Sequence, residues 1–249
     1  MISIGNGQIA LGDCLDVMRS VPSASVDMIL CDLPYGTTQN KWDSVIPFEP
    51  LWSEYWRITK PNAAVVLTAQ CPFDKALGAS QLRYLKYEWI WEKGRATGHL
   101  NVKKQPMKAH ENVMIFYREQ CTYNPQMIEG EKYHVGGGSS KKDNYGDFGT
   151  IRENDGSMRY PRSIQQFAHQ SGFHPTQKPV ALFEYLIRTY TNPGDVVMDN
   201  CIGSGTTAIA AENTGRRWLG IERDPGYFGA ACERIARLVY SDQMRASSP

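Results

Sequence analysis

Three short runs constrain the fold more than any other feature of this chain. They are Val26-Asp-Met-Ile-Leu-Cys31, Ala63-Ala-Val-Val-Leu-Thr68 and Asp195-Val-Val-Met198. A strand with one face in water alternates polar and apolar residues, whereas a strand covered on both faces reads as a near-continuous apolar run. The three runs therefore predict buried parallel strands, each bounded by turn residues. Glu88–Glu92, Asn112–Tyr117 and Trp218–Glu222 are further strand candidates. Helical spacing lies between them: Val180–Tyr190 groups Leu182, Tyr185, Leu186 and Thr189, and Thr206–Thr214 ends at Gly215, which suits a helix C-cap. Pro225–Tyr240 gathers Phe228, Ala231, Ile235 and Leu238, and residues 241–249 are expected to fray. Strands alternating with helices predict an α/β class with a mostly parallel sheet.

Composition removes several alternatives. Hydrophobic residues make up 41% of the 249 and charged residues 21%, which excludes a disordered chain. No apolar run is long enough to cross a membrane, and the first residues lack a signal-peptide pattern, so the expected location is cytoplasmic. Net charge is +1, which excludes a protein that coats nucleic acid but leaves room for a local basic cleft. The six cysteines form no C-x-x-C pair, and the histidines show no ligand spacing, so neither a disulfide framework nor a metal site is expected.

Two segments carry chemistry. Asp195-Val-Val-Met-Asp-Asn-Cys-Ile-Gly-Ser-Gly-Thr-Thr207 reads as a strand, a glycine turn and a helix start. Gly203 and Gly205 let backbone approach a ligand, and Glu222 follows Asp199 by 23 residues, near the spacing at which an acid meets a ribose hydroxyl. A nucleoside-bearing cofactor is the functional reading; a plain tight turn is the bland one. The pattern is neither a Walker A loop nor a full G-x-G-x-x-G, because Ala208 occupies the last position. The second segment, Asp32-Leu33-Pro34-Tyr35, follows the first strand run directly. Open α/β sheets bind ligands at such strand ends. Pro34 holds Leu33 out of helical conformation, so Asp32 and the Leu33 carbonyl could together accept two hydrogen bonds from one amino group, with Tyr35 stacked on the ring that carries it. The alternative is a turn whose tyrosine packs in the core.

Together these segments resemble the amino-group DNA methyltransferases, which methylate adenine N6 or cytosine N4. Asp32–Tyr35 matches the family's acid/Asn/Ser-Pro-Pro-aromatic signature, with Leu33 replacing the first proline. Asp199–Thr207 matches its cofactor loop, with Cys201 replacing the usual phenylalanine. His174-Pro-Thr-Gln-Lys-Pro179 and Leu11-Gly12-Asp13-Cys14 resemble two further cofactor elements. The catalytic motif precedes the cofactor loop, as in the family's beta arrangement. The resemblance implies a Rossmann-like methyltransferase fold in permuted order, with a mixed, mostly parallel sheet and helices on both faces. Its domains would be 1–121 and 173–249 for catalysis and 122–172 for target recognition.

The resemblance also implies S-adenosylmethionine as cofactor and a duplex DNA partner whose target base flips out of the helix. It associates the chain with restriction–modification enzymes and with homodimers. Asp32, Leu33, Pro34 and Tyr35 are the implied catalytic group. Asp13, Cys14, Asp32, His174, Thr176, Lys178, Asp199, Cys201, Gly203, Ser204, Gly205, Thr206, Glu222 and Arg223 are the implied cofactor set. An acid at the first catalytic position leans toward adenine N6. Cytosine N4, an RNA substrate and a non-catalytic nucleic-acid-binding module stay open. Basic residues interleaved with polar ones suit phosphate contacts: Lys93, Arg95, His99, Lys103, Lys104 and Lys108, and in the insertion Lys141, Lys142, Arg152, Arg159 and Arg162.

Overall fold

A computed structural model describes residues 1–37, 43–131, 156–169 and 177–246. The chain divides into two units, 1–124 with 163–249, and 125–162. In the second, the described part is a two-stranded antiparallel ladder, β7 (Ile128–Glu129) with β8 (Met158–Arg159).

The first unit is built on nine strands. In chain order these are β1 (Ile2–Ile4), β2 (Gly7–Leu11), β3 (Val26–Asp32), β4 (Thr59–Ala69), β5 (Leu85–Thr97), β6 (Lys108–Phe116), β9 (Ile164–Phe167), β10 (Val196–Asp199) and β11 (Arg217–Glu222). The spatial order is β1-β2-β11-β10-β3-β4-β6-β5-β9. From β2 to β4 every pair is parallel. β6 runs antiparallel between β4 and β5, so the sheet is mixed. The expected insertion reached residue 172, but β9 pairs with β5 and belongs to the main sheet.

The apolar runs behave as doubly covered strands should. Met28 and Leu30 of β3 enter one core, with residues of α4 (Val180–Tyr190), α5 (Thr206–Asn213) and α6 (Pro225–Ala246). Ile29 and Cys31 enter the other, with α1 (Cys14–Met18), α2 (Phe48–Ile58) and α3 (Phe73–Ser80). Successive side chains point to opposite faces, so each face of the sheet carries a helical layer. One expectation fails: the C-terminal helix does not stop near Tyr240 but continues to Ala246. Among the described residues no helix is long and apolar enough to cross a membrane.

The connections position the site. β10, α5 and β11 wind one way from the middle of the sheet; β3, α2 and β4 wind the other. β10 and β3 are neighbours in the sheet, paired as Val197↔Met28 and Met198↔Ile29. That pair is a topological switch point, where open α/β sheets form a crevice beyond the strand ends. The glycine turn leaves β10 there, and Asp32–Tyr35 leaves β3 beside it.

Candidate active site

The glycine turn is fixed from three directions. Asp199, 3% exposed, accepts from the Cys201 amide at 3.0 Å and from the Thr207 hydroxyl. The Ile202 amide donates to the Ile221 carbonyl at 2.9 Å, and the Gly203 amide to Glu222 Oε2 at 2.9 Å, tying the turn to β11. Arg234 of α6 donates to the Ser204 carbonyl at 2.8 Å and reaches the Ser204 and Thr206 hydroxyls. Gly205 has φ +82°, and a Cβ there would stand 3.1 Å from Ile235 Cδ1. The left-handed conformation favours glycine, and the space beside it is tight.

Glu222 ends β11 with one oxygen on the Gly203 amide and the other on the Asp224 amide, at 2.9 and 2.8 Å. A carboxylate has about four lone-pair positions, so each oxygen keeps acceptor capacity. Burial raises its pKa against these hydrogen bonds. Just past the end of the neighbouring strand β2, the Gly12 amide donates to the Glu222 carbonyl at 2.9 Å, which sets Asp13 beside it; Asp13 caps α1 by accepting from the Leu15 amide at 2.9 Å. Arg223 is exposed.

Several expected cofactor residues have other work in the structure. The Ser204 and Thr206 hydroxyls engage Arg234. Asp199 shapes the turn from within. Cys14, Cys31 and Cys201 lie together as free thiols; the Cys201 interaction and burial push Cys14 up, and burial raises Cys31 to about 12. His174 and Thr176 fall outside the described residues.

At the end of β3, Asp32 is held by three donors. Its Oδ1 accepts from the Thr68 hydroxyl and from Tyr35 Oη at 2.7 Å; its Oδ2 accepts from Lys178 Nζ at 2.5 Å. About one lone-pair position remains on the carboxylate, and the side chain is 26% exposed. The Leu33 side chain is buried at 4% and anchors the segment. Asp43 accepts from the Gly36 and Thr37 amides at 2.8 and 2.9 Å, securing the chain just beyond. Tyr35 stacks on Phe73, with ring centroids 5.1 Å apart, and burial followed by the Asp32 and Glu111 charges holds its phenol protonated.

Two lysines depart from their expected roles. The family resemblance puts Lys178 at the cofactor, with a solvated surface position as the bland reading. It is instead 6% exposed and lies between Asp32 and Glu111, the latter at 3.3 Å. Burial works against its charge, but the two carboxylates outweigh it and raise its pKa. Lys93, expected on DNA phosphates, is 7% exposed and pairs with Glu111 Oε1 at 2.6 Å. Thr68, Glu111, Gln70 and Phe73 are site residues that sequence reasoning does not reach. The available signal is slight: an acid, Glu111, in the polar half of β6 just ahead of the apolar run Val113–Phe116. Among the described residues no acid, cysteine and histidine cluster could hold a metal.

A family model described as DNA methylase matches residues 26–233, a span that contains both strand ends. The chain belongs to the amino-group DNA methylase family. The expected motif order holds, with Asp32 preceding the glycine turn. The candidate methylase YubD of Escherichia coli (strain K12) is 26% identical over 250 residues, covering 95% of this chain and 93% of its own. Solved structures share the fold. M1.HpyAVI in complex with SAM has a TM-score of 0.64 at 22% identity, covering 92% of this chain and 99% of that one. The cytosine-N4-specific PvuII DNA methyltransferase has a TM-score of 0.65 at 17% identity, covering 96% and 93%. TTHA0409 from Thermus thermophilus, complexed with S-adenosyl-L-methionine, has a TM-score of 0.63 at 21% identity, covering 94% of each chain.

Proposed function

We propose that this methylase transfers a methyl group from S-adenosylmethionine to the N6 amino group of adenine in duplex DNA, on a base turned out of the helix. One observation carries the reading. Asp32, an acid rather than a serine, stands at the switch point with three donors fixing it and about one acceptor position open.

S-adenosylmethionine supplies, when bound, an electrophilic methyl group on a sulfonium centre. The residues at the neighbouring strand ends fit it. Glu222 has acceptor capacity for the ribose hydroxyls, Asp13 for the adenine amino group, and the positive-φ turn at Gly203 and Gly205 brings backbone close to the methionine end.

The exocyclic amine of adenine is a weak nucleophile because its lone pair is delocalised into the ring. Asp32 and the Leu33 carbonyl accept its two N–H bonds and favour a pyramidal nitrogen. Transfer would form the carbon–nitrogen bond as the sulfonium gave up its methyl carbon and kept the bonding electron pair on sulfur, and positive charge would move onto the amine. Asp32 stabilises that charge where it develops and receives the departing proton on its carboxylate or passes it to water. Proton removal before attack is not required. Holding both reactants in line supplies much of the remaining acceleration. Base flipping costs a few kcal/mol, and Tyr35, backed by Phe73, offers an aromatic surface that offsets part of it.

The test is mass spectrometry of nucleosides from DNA incubated with the full chain and S-adenosylmethionine. N6-methyladenine is expected. N4-methylcytosine would overturn the base assignment while keeping the chemistry. Methylation confined to RNA would overturn the DNA reading.

A further inference from the structure

We propose that Glu111 and Lys93 are positioning residues for methyl transfer: Glu111 holds the Lys178 ammonium on Asp32, and Lys93 holds Glu111. The inference rests on the assignment of Asp32 above.

Four neighbouring strands present these groups in a row. β3 gives Asp32, β4 gives Thr68 with Gln70 just past its end, β6 gives Glu111, and β5 gives Lys93. Lys178 joins the row from the segment before α4. The charges alternate. Lys93 Nζ lies 2.6 Å from Glu111 Oε1, Glu111 Oε2 lies 3.3 Å from Lys178 Nζ, and Lys178 Nζ lies 2.5 Å from Asp32 Oδ2. Gln70 adds a hydrogen bond to Glu111 Oε1 at 2.7 Å. Exposure falls along the row: the Asp32 side chain is 26% exposed, while the side chains of Lys178, Glu111 and Lys93 are 6%, 5% and 4% exposed. Only the end that meets substrate faces solvent.

Stability alone gives a poor account of such an array. Buried ion pairs often contribute no more than well-packed apolar residues of similar volume, because desolvation offsets their attraction. Positioning explains it better. Lys178 makes its short bond to Asp32, while the 3.3 Å contact with Glu111 lies outside hydrogen-bond geometry. Glu111 therefore acts on Lys178 as a fixed charge. The groups facing the ammonium are Asp32, Glu111 and the Tyr35 ring, whose centroid is 5.7 Å away; Lys93 stands behind Glu111. Without Glu111 the ammonium keeps one carboxylate and the second buried lysine, so it loses its proton at lower pH and its hold on Asp32 slackens.

The experiment measures kcat, KM for DNA, cofactor affinity and the pH profile for the full-length wild type, Glu111→Gln, Lys178→Met and the double variant. Glu111→Gln is expected to lower kcat by on the order of 10²-fold, the scale at which misplaced reacting groups act. KM and cofactor affinity should change by no more than about twofold, and the alkaline limb of kcat should move to lower pH. In the Lys178→Met background, Glu111→Gln should add little further loss, because coupled residues are not additive. Wild-type kcat in Glu111→Gln would overturn the proposal, as would losses that multiply in the double variant. If Glu111→Gln does not fold, Glu111→Asp keeps the charge and withdraws it by one methylene. A reduced kcat with unchanged KM supports the proposal there, and wild-type kcat overturns it. A wild-type enzyme that methylates no DNA amine would instead overturn the assignment of Asp32.

Discussion

A lysine removed from water keeps its charge only where carboxylates surround it, and Lys178 has two. That pairing is not legible in the sequence. Lys178 and Asp32 are 146 residues apart, and only the permuted sheet joins them. Asp32, Pro34, Gly205 and Glu222 are legible because each needs only its own strand end or turn. Asp199 shows the opposite limit, since its role lies in the turn and its charge is a burden. Burial lifts its carboxyl from 3.8 to about 6, against the hydrogen bonds from Thr207 and Cys201. An acid with a raised folded pKa costs stability when ionised. That cost is complete above pH 6 and diminishes as pH falls toward 3.8. Asp199→Asn keeps an acceptor for the Cys201 amide without the charge. Its stability relative to wild type should be most favourable near neutrality and should decline by up to about 3 kcal/mol on acidification through this window. Denaturant titrations at several pH values measure it; a difference independent of pH would contradict the assignment.

At the scale of elements, the doubly buried strands and the helices α4, α5 and α6 are readable. β3, β4 and β10 grow from their apolar runs, and α4 matches its predicted span. The antiparallel course of β6 is not readable, because direction depends on which neighbour a strand pairs with and not on its own pattern. β1, β2 and β9 are three to five residues long, too short for periodicity to register. The short helix α1 escapes for the same reason. β11 carries a functional prediction. Its last residue, Glu222, holds the glycine turn and is the proposed ribose acceptor, so Glu222→Ala should weaken S-adenosylmethionine binding by tenfold or more, the effect of losing about 1.4 kcal/mol. Titration calorimetry reads this directly, and undiminished affinity would remove the ribose role.

The whole molecule has a net charge of +1, yet the charge is unevenly placed. Between Glu92 and Glu111 the chain contains no acid. Arg95, Lys103, Lys104 and Lys108 of this stretch are exposed, on a hairpin whose strands bury Lys93 and Glu111 beside the site. In the proposed function Lys103 and Lys104 meet phosphate while the buried end serves the chemistry. Replacing both by glutamate should weaken DNA binding and reduce the slope of log affinity against log salt by about 2, near 0.9 per lost phosphate contact. Cofactor affinity should not change. An unaltered slope would place the DNA on another surface.

In the proposed function Asp32 carries the transfer and the cofactor half of the crevice stands apart from it. The most direct measurement is single-turnover methylation by Asp32→Ala at saturating S-adenosylmethionine and DNA, with cofactor affinity determined on the same preparation. The rate should fall by on the order of 10³-fold, the scale of losing a group aimed at developing charge, while cofactor affinity stays within about twofold. Transfer within a few-fold of wild type would remove that role from Asp32.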